Sequence, residues 1–305
     1  MKKPKILLIG GPTAVGKTAL GIKCSNMFNG EIISADSIQV YKHLNIGSAK
    51  ATLEEQKQAK HHLIDILEPN ETFSVSEFKD KVECLIEELL KQNKLPIIVG
   101  GTGLFMKGLL FPYSFGNSEK NDEVRSKYKT LAEKFGNEYV FNILQEKDYE
   151  SSLNINMNDS KRVIRALEIL ETTGKKKSEQ TLDLESKYDY KMIFLDDERE
   201  ELYKRINYRV ELMKSQGLEK EVRELVNKYG LTRDSQSMQG IGYKEFFDYF
   251  DNKISLDDVF EKIKLNTRHY AKRQVTWFKK MPNVERCNCH DVDGIMEKIK
   301  KWIND

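Results

Sequence analysis

The 305-residue sequence is poor in cysteine and has no long apolar run. Its cysteines, Cys24, Cys84, Cys287 and Cys289, are too few and too scattered for a disulfide framework, which is typical of a reducing compartment. No apolar run approaches the roughly 20 residues of a membrane span. The start, Met1-Lys2-Lys3-Pro4, leads directly into a strand-like segment and does not resemble a signal peptide. We therefore expect a cytoplasmic protein without a membrane segment.

An excess of charge of one sign is also missing. Lysine and arginine total 50 against 48 aspartates and glutamates, so the chain is not generally polycationic. Any surface for nucleic acid must therefore be a local patch. No apolar run ends in the Asp-Glu pair expected of an oligomeric ATPase, which disfavours motor-type ATP hydrolysis.

Short β-branched runs alternate with segments of helical period, and this alternation predicts an α/β fold with a parallel sheet flanked by helices. The runs are Ile6–Ile9, Glu31–Ser34, His62–Ile66, Pro96–Val99 and Met192–Leu195. Between 116 and 189 charged helical stretches replace them. We predict a core built from 1–115 and 190–305, mainly helical after its last strand, and an inserted all-helical subdomain at 116–189.

The first apolar run is followed by a phosphate-binding pattern. It reads Gly11, Pro12, Thr13, Ala14, Val15, Gly16, Lys17 and Thr18, and a helix-like segment comes next. Glycines let the backbone N–H groups turn inward, and the helix N-terminus adds partial positive charge. Lys17 can reach terminal phosphates and the Thr18 hydroxyl can ligate Mg²⁺. The sequence therefore predicts a P-loop that holds a diphosphate or triphosphate.

Two further segments follow strand-like runs and should reach the same sheet edge. Asp36 could hold Mg²⁺ through water or accept a proton from a nucleophile, or it could simply cap the next turn. The glycine loop Gly100-Gly101-Thr102-Gly103 would place Thr102 at this edge, or it is only a tight turn. A small-molecule kinase is compatible with these features.

Basic residues recur on predicted helices. Lys264, Arg268 and Lys272 share one helical stripe, and Lys161–Arg165 and Lys175–Lys177 add further clusters. Such a stripe is either a solvated face or a surface for a phosphate backbone, and the clusters together favour nucleic acid. The Cys287-Asn288-Cys289-His290 segment lacks a partner pair and does not predict a zinc site.

The ordered set of motifs resembles one family, the tRNA dimethylallyltransferases, across nearly the whole chain. The matching segments are Gly11–Thr18, Ala35–Tyr41, Asn45–Lys50, His61–Asp65, Gly100–Thr102, Arg165–Glu168, Gly240–Lys244 and Ala271–Gln274. The resemblance implies that the P-loop binds dimethylallyl diphosphate and that the prenyl group passes to N6 of the adenosine 3′ to the tRNA anticodon.

The resemblance also implies roles for particular residues. Asp36 would accept the N6 proton, Thr13 and Lys17 would stabilise the diphosphate, and Thr18 would ligate Mg²⁺, the implied cofactor. A further cation on the leaving group would be Arg209 or the nearby Arg205.

The implied partners are the tRNA anticodon stem-loop and dimethylallyl diphosphate, with the chain acting as a monomer. The implied tRNA-binding residues are Asp36, Ser37, Ile38, Gln39, Thr102, Arg125, Lys161, Arg162, Val163, Ile164, Arg165, Gln239, Gly240, Ile241, Gly242, Tyr243, Lys244, Arg268, Lys272 and Arg273. The alternatives are a P-loop small-molecule or nucleotide kinase, which would consume ATP, and a P-loop RNA-binding protein without chemistry.

Overall fold

A computed structural model describes residues 2–111, 121–179 and 184–305 of the chain. Its strands are β1 (Lys5–Gly10), β2 (Gly30–Ser34), β3 (His61–His62), β4 (Leu95–Val99), β5 (Asp189–Asp196) and β6 (Val284–Asn288). Its helices are α1 (Lys17–Met27), α2 (Leu53–Gln58), α3 (Val75–Lys91), α4 (Gly103–Leu110), α5 (Asp122–Phe135), α6 (Asn137–Lys147), α7 (Tyr149–Asn154), α8 (Ser160–Thr173), α9 (Arg199–Ser215), α10 (Leu218–Tyr229), α11 (Phe246–Phe250), α12 (Leu256–Phe278) and α13 (Val292–Asn304). Within the described ranges, no helix has the length and apolar character needed to cross a bilayer.

The strands form one parallel sheet in the order β3-β2-β4-β1-β5-β6. The central strands are buried on both faces, so they are continuous apolar runs and do not alternate. Leu7 pairs with Ile97 on one side and with Lys191 on the other, which fixes the register of β1. Helices such as α1 and α3 cover the sheet with their apolar faces. The predicted fold class, a P-loop-like parallel sheet flanked by helices, is confirmed.

Two strand predictions need correction. The run His62–Ile66 was predicted as a strand, but only His61–His62 is one, because Leu63 and Asp65 take left-handed backbone angles with φ of 58° and 55°. The last strand, β6, was missed because Val284–Asn288 mixes exposed polar residues with a single buried cysteine. It lies at the edge of the sheet, where a fully apolar run is not required.

The chain divides into two compact units. Unit 1 comprises Met1–Leu110 and Ser186–Asp305, and it contains the sheet. Unit 2 comprises Phe111–Glu185. The boundaries were predicted at 115/116 and 189/190. The first lies outside the described residues, and the second is found at 185/186.

Unit 2 is helical in its described part and contains α5 to α8. Its core is formed by Tyr128, Val140, Leu144, Val163 and Leu167 among others. α8 begins at a side-chain cap from Asp159 and ends at Gly174, whose φ of 67° suits glycine. The buried carboxylate of Glu168 accepts hydrogen bonds from Arg125 and Arg165, so an ion-pair cluster joins α5 to α8.

In unit 1, Glu31 of β2 is a buried carboxylate with a side chain that is 8% exposed. Burial alone would raise its pKa, but hydrogen bonds from Lys94, His62 and Lys60 outweigh this and lower the pKa from 4.5 to about 2. These contacts tie β2 to β3 and to the start of β4. A lowered carboxylate pKa stabilises the folded state above the unfolded pKa, and the contribution disappears as the pH falls through the folded pKa.

We therefore expect Glu31→Gln to lower the free energy of unfolding at neutral pH by about 1–3 kcal/mol, because the charge-assisted hydrogen bonds are lost. The difference from wild type should shrink as the pH falls from 4.5 towards about 2. Urea unfolding across this pH range measures it. Glu88→Gln, at an exposed position of α3, is the control and should show no such trend. A difference independent of pH would contradict the role of the Glu31 charge.

Candidate active site

Three loops meet at the carboxyl edge of the sheet. The P-loop follows β1, Asp36 follows β2, and Gly100–Gly103 follows β4, which lies between the other two strands. Adjacent parallel strands bring these loops together, as the sequence predicted. The Thr102 N–H donates to the Ala35 carbonyl at 3.3 Å, so the second glycine loop is joined to the loop that carries Asp36.

The P-loop backbone has the conformation that an anion cradle requires. Ala14 and Gly16 both have left-handed φ, at 66° and 100°, and α1 begins directly afterwards at Lys17. Alternation of left- and right-handed residues turns successive N–H groups to one side, and the helix N-terminus adds to the positive potential. The Lys17 ammonium folds back over this loop and donates to the Pro12 carbonyl at 2.8 Å.

Two cations share this cradle. Burial, followed by the charge of Arg209, lowers the pKa of Lys17 to about 7, whereas the charge of Asp36 opposes the shift. Burial also lowers the pKa of Arg209, again opposed by Asp36. Two half-buried cations that repel each other next to the P-loop N–H groups form a site suited to an anion of high charge.

The structure distinguishes Arg209 from Arg205. Both lie on α9, one turn apart, but the Arg209 guanidinium donates to the Thr13 hydroxyl of the P-loop. Arg205 instead forms an ion pair with Asp197 and lies 3.6 Å from the Cys289 sulfur. Arg209 is therefore the arginine at the phosphate cradle, and Arg205 belongs to a neighbouring cluster.

Asp36 caps the turn after β2, which is one of the roles that the sequence allowed. Its Oδ1 accepts hydrogen bonds from the N–H groups of Ile38 at 2.9 Å and Gln39 at 3.2 Å. These bonds fix the carboxylate at the sheet edge, close enough to influence the pKa values of Lys17, Arg209 and Tyr270. Capping is compatible with a chemical role, because both turn hydrogen bonds are made to Oδ1 and the carboxylate has a second oxygen, Oδ2.

Helix α12 contributes two residues, Gln274 and Tyr270, that lie in a segment resembling the tRNA-contacting part of the family but had no individual role predicted. Gln274 is buried, accepts from the Thr13 N–H at 2.9 Å and donates to the Gly101 carbonyl at 3.0 Å. The Tyr270 hydroxyl interacts with Thr102 and Gln274, and burial followed by the charge of Asp36 raises its pKa to about 12. Gln274 occupies the buried stripe Ile263, Thr267, Ala271, Gln274, Phe278. A glutamine among the buried, mostly apolar positions of the helix was the signal in the sequence that this side chain has a polar partner.

Further along unit 1, the Asn45–Lys50 and Gly240–Lys244 motifs pack on each other. Gly47 lies against the Tyr243 ring, where a Cβ would come within 2.6 Å of ring carbons. The Tyr243 hydroxyl donates to Glu221, whose carboxylate also accepts from the N–H groups of Ile46 and Gly47. Tyr243 is fully buried and Gly242 is buried, so the tRNA contact predicted for these two residues is corrected to a structural role.

The other predicted RNA residues of unit 1 differ in availability. Ser37, Ile38 and Thr102 are half-buried at the sheet edge, while Gln39 donates to the Ser48 and Ala49 carbonyls. Arg268 donates to Asn207 at 2.7 Å. Gln239 is exposed and donates to a backbone carbonyl, and Gly240, Ile241 and Lys244 are half-buried. Lys272 and Arg273 are exposed, and Arg273 lies over the Tyr270 ring.

In unit 2 the predicted tRNA-binding residues also differ in exposure. Lys161 and Arg162 are exposed at the start of α8, whereas Val163 and Ile164 pack in the core, because every third or fourth residue of this helix faces inward. The prediction of tRNA contact by these two apolar side chains is therefore wrong. Arg165 pairs with Glu168, and Arg125 makes a two-pronged contact with the same carboxylate at 2.9 and 3.1 Å.

The Cys287–His290 segment spans the carboxyl end of β6, with Cys289 and His290 just beyond the strand. Cys289 and His290 converge there with Asp197. The guanidinium of Arg205 already pairs with Asp197 and contacts Cys289, so a cation occupies the space between these donors.

Comparison with known proteins extends these observations. The sequence model of the IPP transferase family matches residues 39–281. A tRNA dimethylallyltransferase of Bacillus anthracis is 48% identical over 98% of this chain and 96% of its own length. A Bacillus cereus protein of the same name is 49% identical over 98% of this chain and 95% of its own length.

Solved structures give the same result. A tRNA isopentenylpyrophosphate transferase of Bacillus halodurans has a TM-score of 0.75 at 38% identity and covers 99% of this chain and 97% of that one. A eukaryotic dimethylallyltransferase described as acting on tRNA has a TM-score of 0.80 at 32% identity, covering 95% of this chain and 75% of the other.

The fold and the site define a P-loop-like α/β protein with an anion cradle beside a carboxylate at the edge of its sheet. A helical unit is inserted in the chain between α4 and β5. The family match covers most of the chain, from residue 39 to residue 281, and includes the second glycine loop, α9 and α12. The chain belongs to the IPP transferase family.

Proposed function

We propose that the protein transfers the dimethylallyl group of dimethylallyl diphosphate to N6 of the adenosine 3′-adjacent to the tRNA anticodon. The observation that carries the proposal is the pair of half-buried cations, Lys17 and Arg209, in contact with the P-loop and with Asp36 beside them. A leaving diphosphate gains negative charge as its bond to the allylic carbon breaks, and preorganised cations stabilise that charge. A carboxylate at the same place can take the proton that the attacking nitrogen loses.

In the proposed reaction the bond between the allylic C1 and the diphosphate oxygen breaks, and the bond between C1 and N6 forms. The departing diphosphate is held by Lys17, Arg209 and the P-loop N–H groups. Both side chains contact the loop, Lys17 at the Pro12 carbonyl and Arg209 at the Thr13 hydroxyl. Oδ2 of Asp36 accepts the N6 proton while Oδ1 remains in the turn. Tyr270, with a pKa of about 12, remains protonated at neutral pH and can donate a hydrogen bond on the acceptor side.

Mg²⁺ fits the donor set of this edge. Thr18 is half-buried in the first turn of α1, next to Lys17, and offers a hydroxyl oxygen, and Asp36 offers a carboxylate oxygen. Hard oxygen donors together with diphosphate oxygens are the ligands that Mg²⁺ prefers. When bound, the ion would neutralise part of the charge that develops on the diphosphate.

The anticodon stem-loop is the proposed partner for the exposed cations. In unit 1 these include Lys272 and Arg273 of α12, and in unit 2 they include Lys161 and Arg162 of α8. The target base must leave its stack to reach the donor, and single-stranded loops permit this at low cost. We further propose that the chain acts as a monomer in the cytoplasm, because the proposed site is built from one chain and all four cysteines are free.

Incubation with unmodified anticodon stem-loop RNA, Mg²⁺ and either dimethylallyl diphosphate or ATP tests the proposal. Mass spectrometry of the RNA should show the gain of one prenyl group with the first donor only. ATP consumption without RNA prenylation would favour the kinase alternative. RNA binding with neither reaction would favour a P-loop RNA-binding protein.

Replacing Lys272 by alanine should weaken binding of the stem-loop and reduce the salt dependence of its affinity by about one phosphate contact, a slope change of roughly 0.7–0.9. Lys264 lies on the same helix stripe but is held by Glu211 and Glu261. Lys264→Ala is therefore the matched control and should change the salt dependence less. Filter-binding titrations at several salt concentrations compare the two. Equal changes of the salt dependence in the two variants would mean that net charge, and not a phosphate contact of Lys272, causes the weaker binding.

A further inference from the structure

We infer that Gln274 is a positioning residue that sets the spacing between the donor-binding P-loop and the second glycine loop on the acceptor side. The inference rests on the proposed transfer reaction and assigns to α12 a function within it. Gln274 is 5% exposed, and its amide is bonded to loop backbone at both ends. Its oxygen receives the Thr13 N–H and its nitrogen donates to the Gly101 carbonyl, so one planar group joins two loops.

The Gln274 amide contacts one residue on the donor side of the proposed site, Thr13, and one on the acceptor side, Gly101. Thr13 receives the Gln274 contact on its backbone and the Arg209 contact on its hydroxyl. Gly101 immediately precedes Thr102, whose side chain meets the Tyr270 hydroxyl. Fixing Thr13 and Gly101 relative to each other therefore fixes the leaving-group cation relative to the acceptor side. For a reaction between two bound substrates, small misplacements of this kind reduce the rate strongly.

The second glycine loop is shaped to receive this helix. A Cβ at Gly101 would lie 2.2 Å from the Gln274 amide nitrogen, and a Cβ at Gly103 would lie 2.2 Å from the Trp277 ring. Gly101 has no left-handed φ in the structure, so close approach is the reason for glycine there. An alanine at this position would displace the Gln274 amide without requiring a backbone change.

Gln274→Glu provides the sharpest test. The carboxylate keeps the size of the side chain and can still accept from Thr13, but it cannot donate to the Gly101 carbonyl. We expect kcat for RNA prenylation to fall by about 10–100-fold while the affinities for inorganic diphosphate and for the stem-loop change by less than about threefold. Gly101→Ala should reproduce this loss, and the double variant should lose less than the product of the two single effects, because both act on one contact.

Gln236→Glu is the matched control, because Gln236 also accepts from and donates to one backbone segment, at Phe73, outside the three loops. It should leave kcat within about threefold of wild type. Wild-type kcat retained by folded Gln274→Glu would overturn the inference, as would equal losses of kcat and of diphosphate affinity. If Gln274→Glu does not fold, Gly101→Ala decides by the same criteria. A wild-type protein that transfers no prenyl group would instead refute the proposed function.

Discussion

Replacing Asp36 by asparagine is expected to reduce prenyl transfer by about 10²–10⁴-fold, the range for loss of a general base. Asparagine retains an Oδ1 that can accept from Ile38 and Gln39, so the turn after β2 should survive. What it removes is the negative charge and the ability to accept a proton. Single-turnover kinetics with the stem-loop and dimethylallyl diphosphate measure the effect on the chemical step.

Asp36→Ala separates the two roles of this residue. Alanine removes the charge and the turn contacts together, so it should be no more active than asparagine and less stable. Affinity for the stem-loop should remain within about threefold for the asparagine variant, because the carboxylate is not a phosphate contact. An Asp36→Asn protein with wild-type turnover would remove Asp36 from the mechanism.

The second large effect is expected at Arg209. Arg209→Lys keeps one positive charge on α9 but loses the planar guanidinium that reaches the Thr13 hydroxyl. We expect kcat to fall by about 10²–10³-fold, the usual cost of removing one preorganised donor to a developing anion. The loss should be greater in kcat than in the affinity for inorganic diphosphate if the contact strengthens as the diphosphate departs.

Arg205→Lys is the matched control for this variant. It lies one helical turn away, and lysine can still pair with the buried Asp197. Its kcat should remain within about threefold of wild type, because Arg205 contacts Asp197 and Cys289 and not the P-loop. Comparable losses in both variants would mean that α9 acts through its overall position or charge. Loss in Arg205→Lys alone would reverse the assignment.

The structure explains why α12 combines two kinds of residue. Its inward stripe joins the loops through Gln274 and packs the sheet through Phe278, which contacts Phe194 at a ring separation of 5.0 Å. Its outward face carries Lys272 and Arg273. The proposed RNA surface and the loop geometry are therefore carried by one rigid element, so that mutations on its two faces should affect binding and turnover separately.

Local patterns were sufficient for much of the fold. Five of the six strand positions were indicated by apolar runs, because a buried parallel strand must be apolar on both faces. The run at His62 gave only the two-residue β3, and the edge strand β6 had no comparable run. Ser74 caps the start of α3 and Gly174 ends α8, and both act within one helical turn, so these helix ends depend on local sequence.

Other residues had roles that depend on distant partners. Tyr243, Val163 and Ile164 were predicted to contact tRNA, but they are buried. Tyr243 packs against Gly47 and donates to Glu221, and the other two belong to the core of unit 2. Arg125 forms its two-pronged contact with a carboxylate 43 residues away. A motif shared with a family does not by itself separate residues that contact substrate from residues that hold the fold.

The sequence by itself determined the phosphate cradle, because Gly11–Thr18 is contiguous and its backbone conformation depends on its own glycines and on the helix that follows. It also determined the parallel sheet that carries Asp36 and Thr102 to one edge. Only the tertiary structure decided between Arg205 and Arg209 and brought Gln274 to the P-loop. The Arg209 and Gln274 contacts with Thr13 span 196 and 261 residues of sequence. Such contacts depend on how α9 and α12 pack against the sheet, and no local pattern encodes that packing.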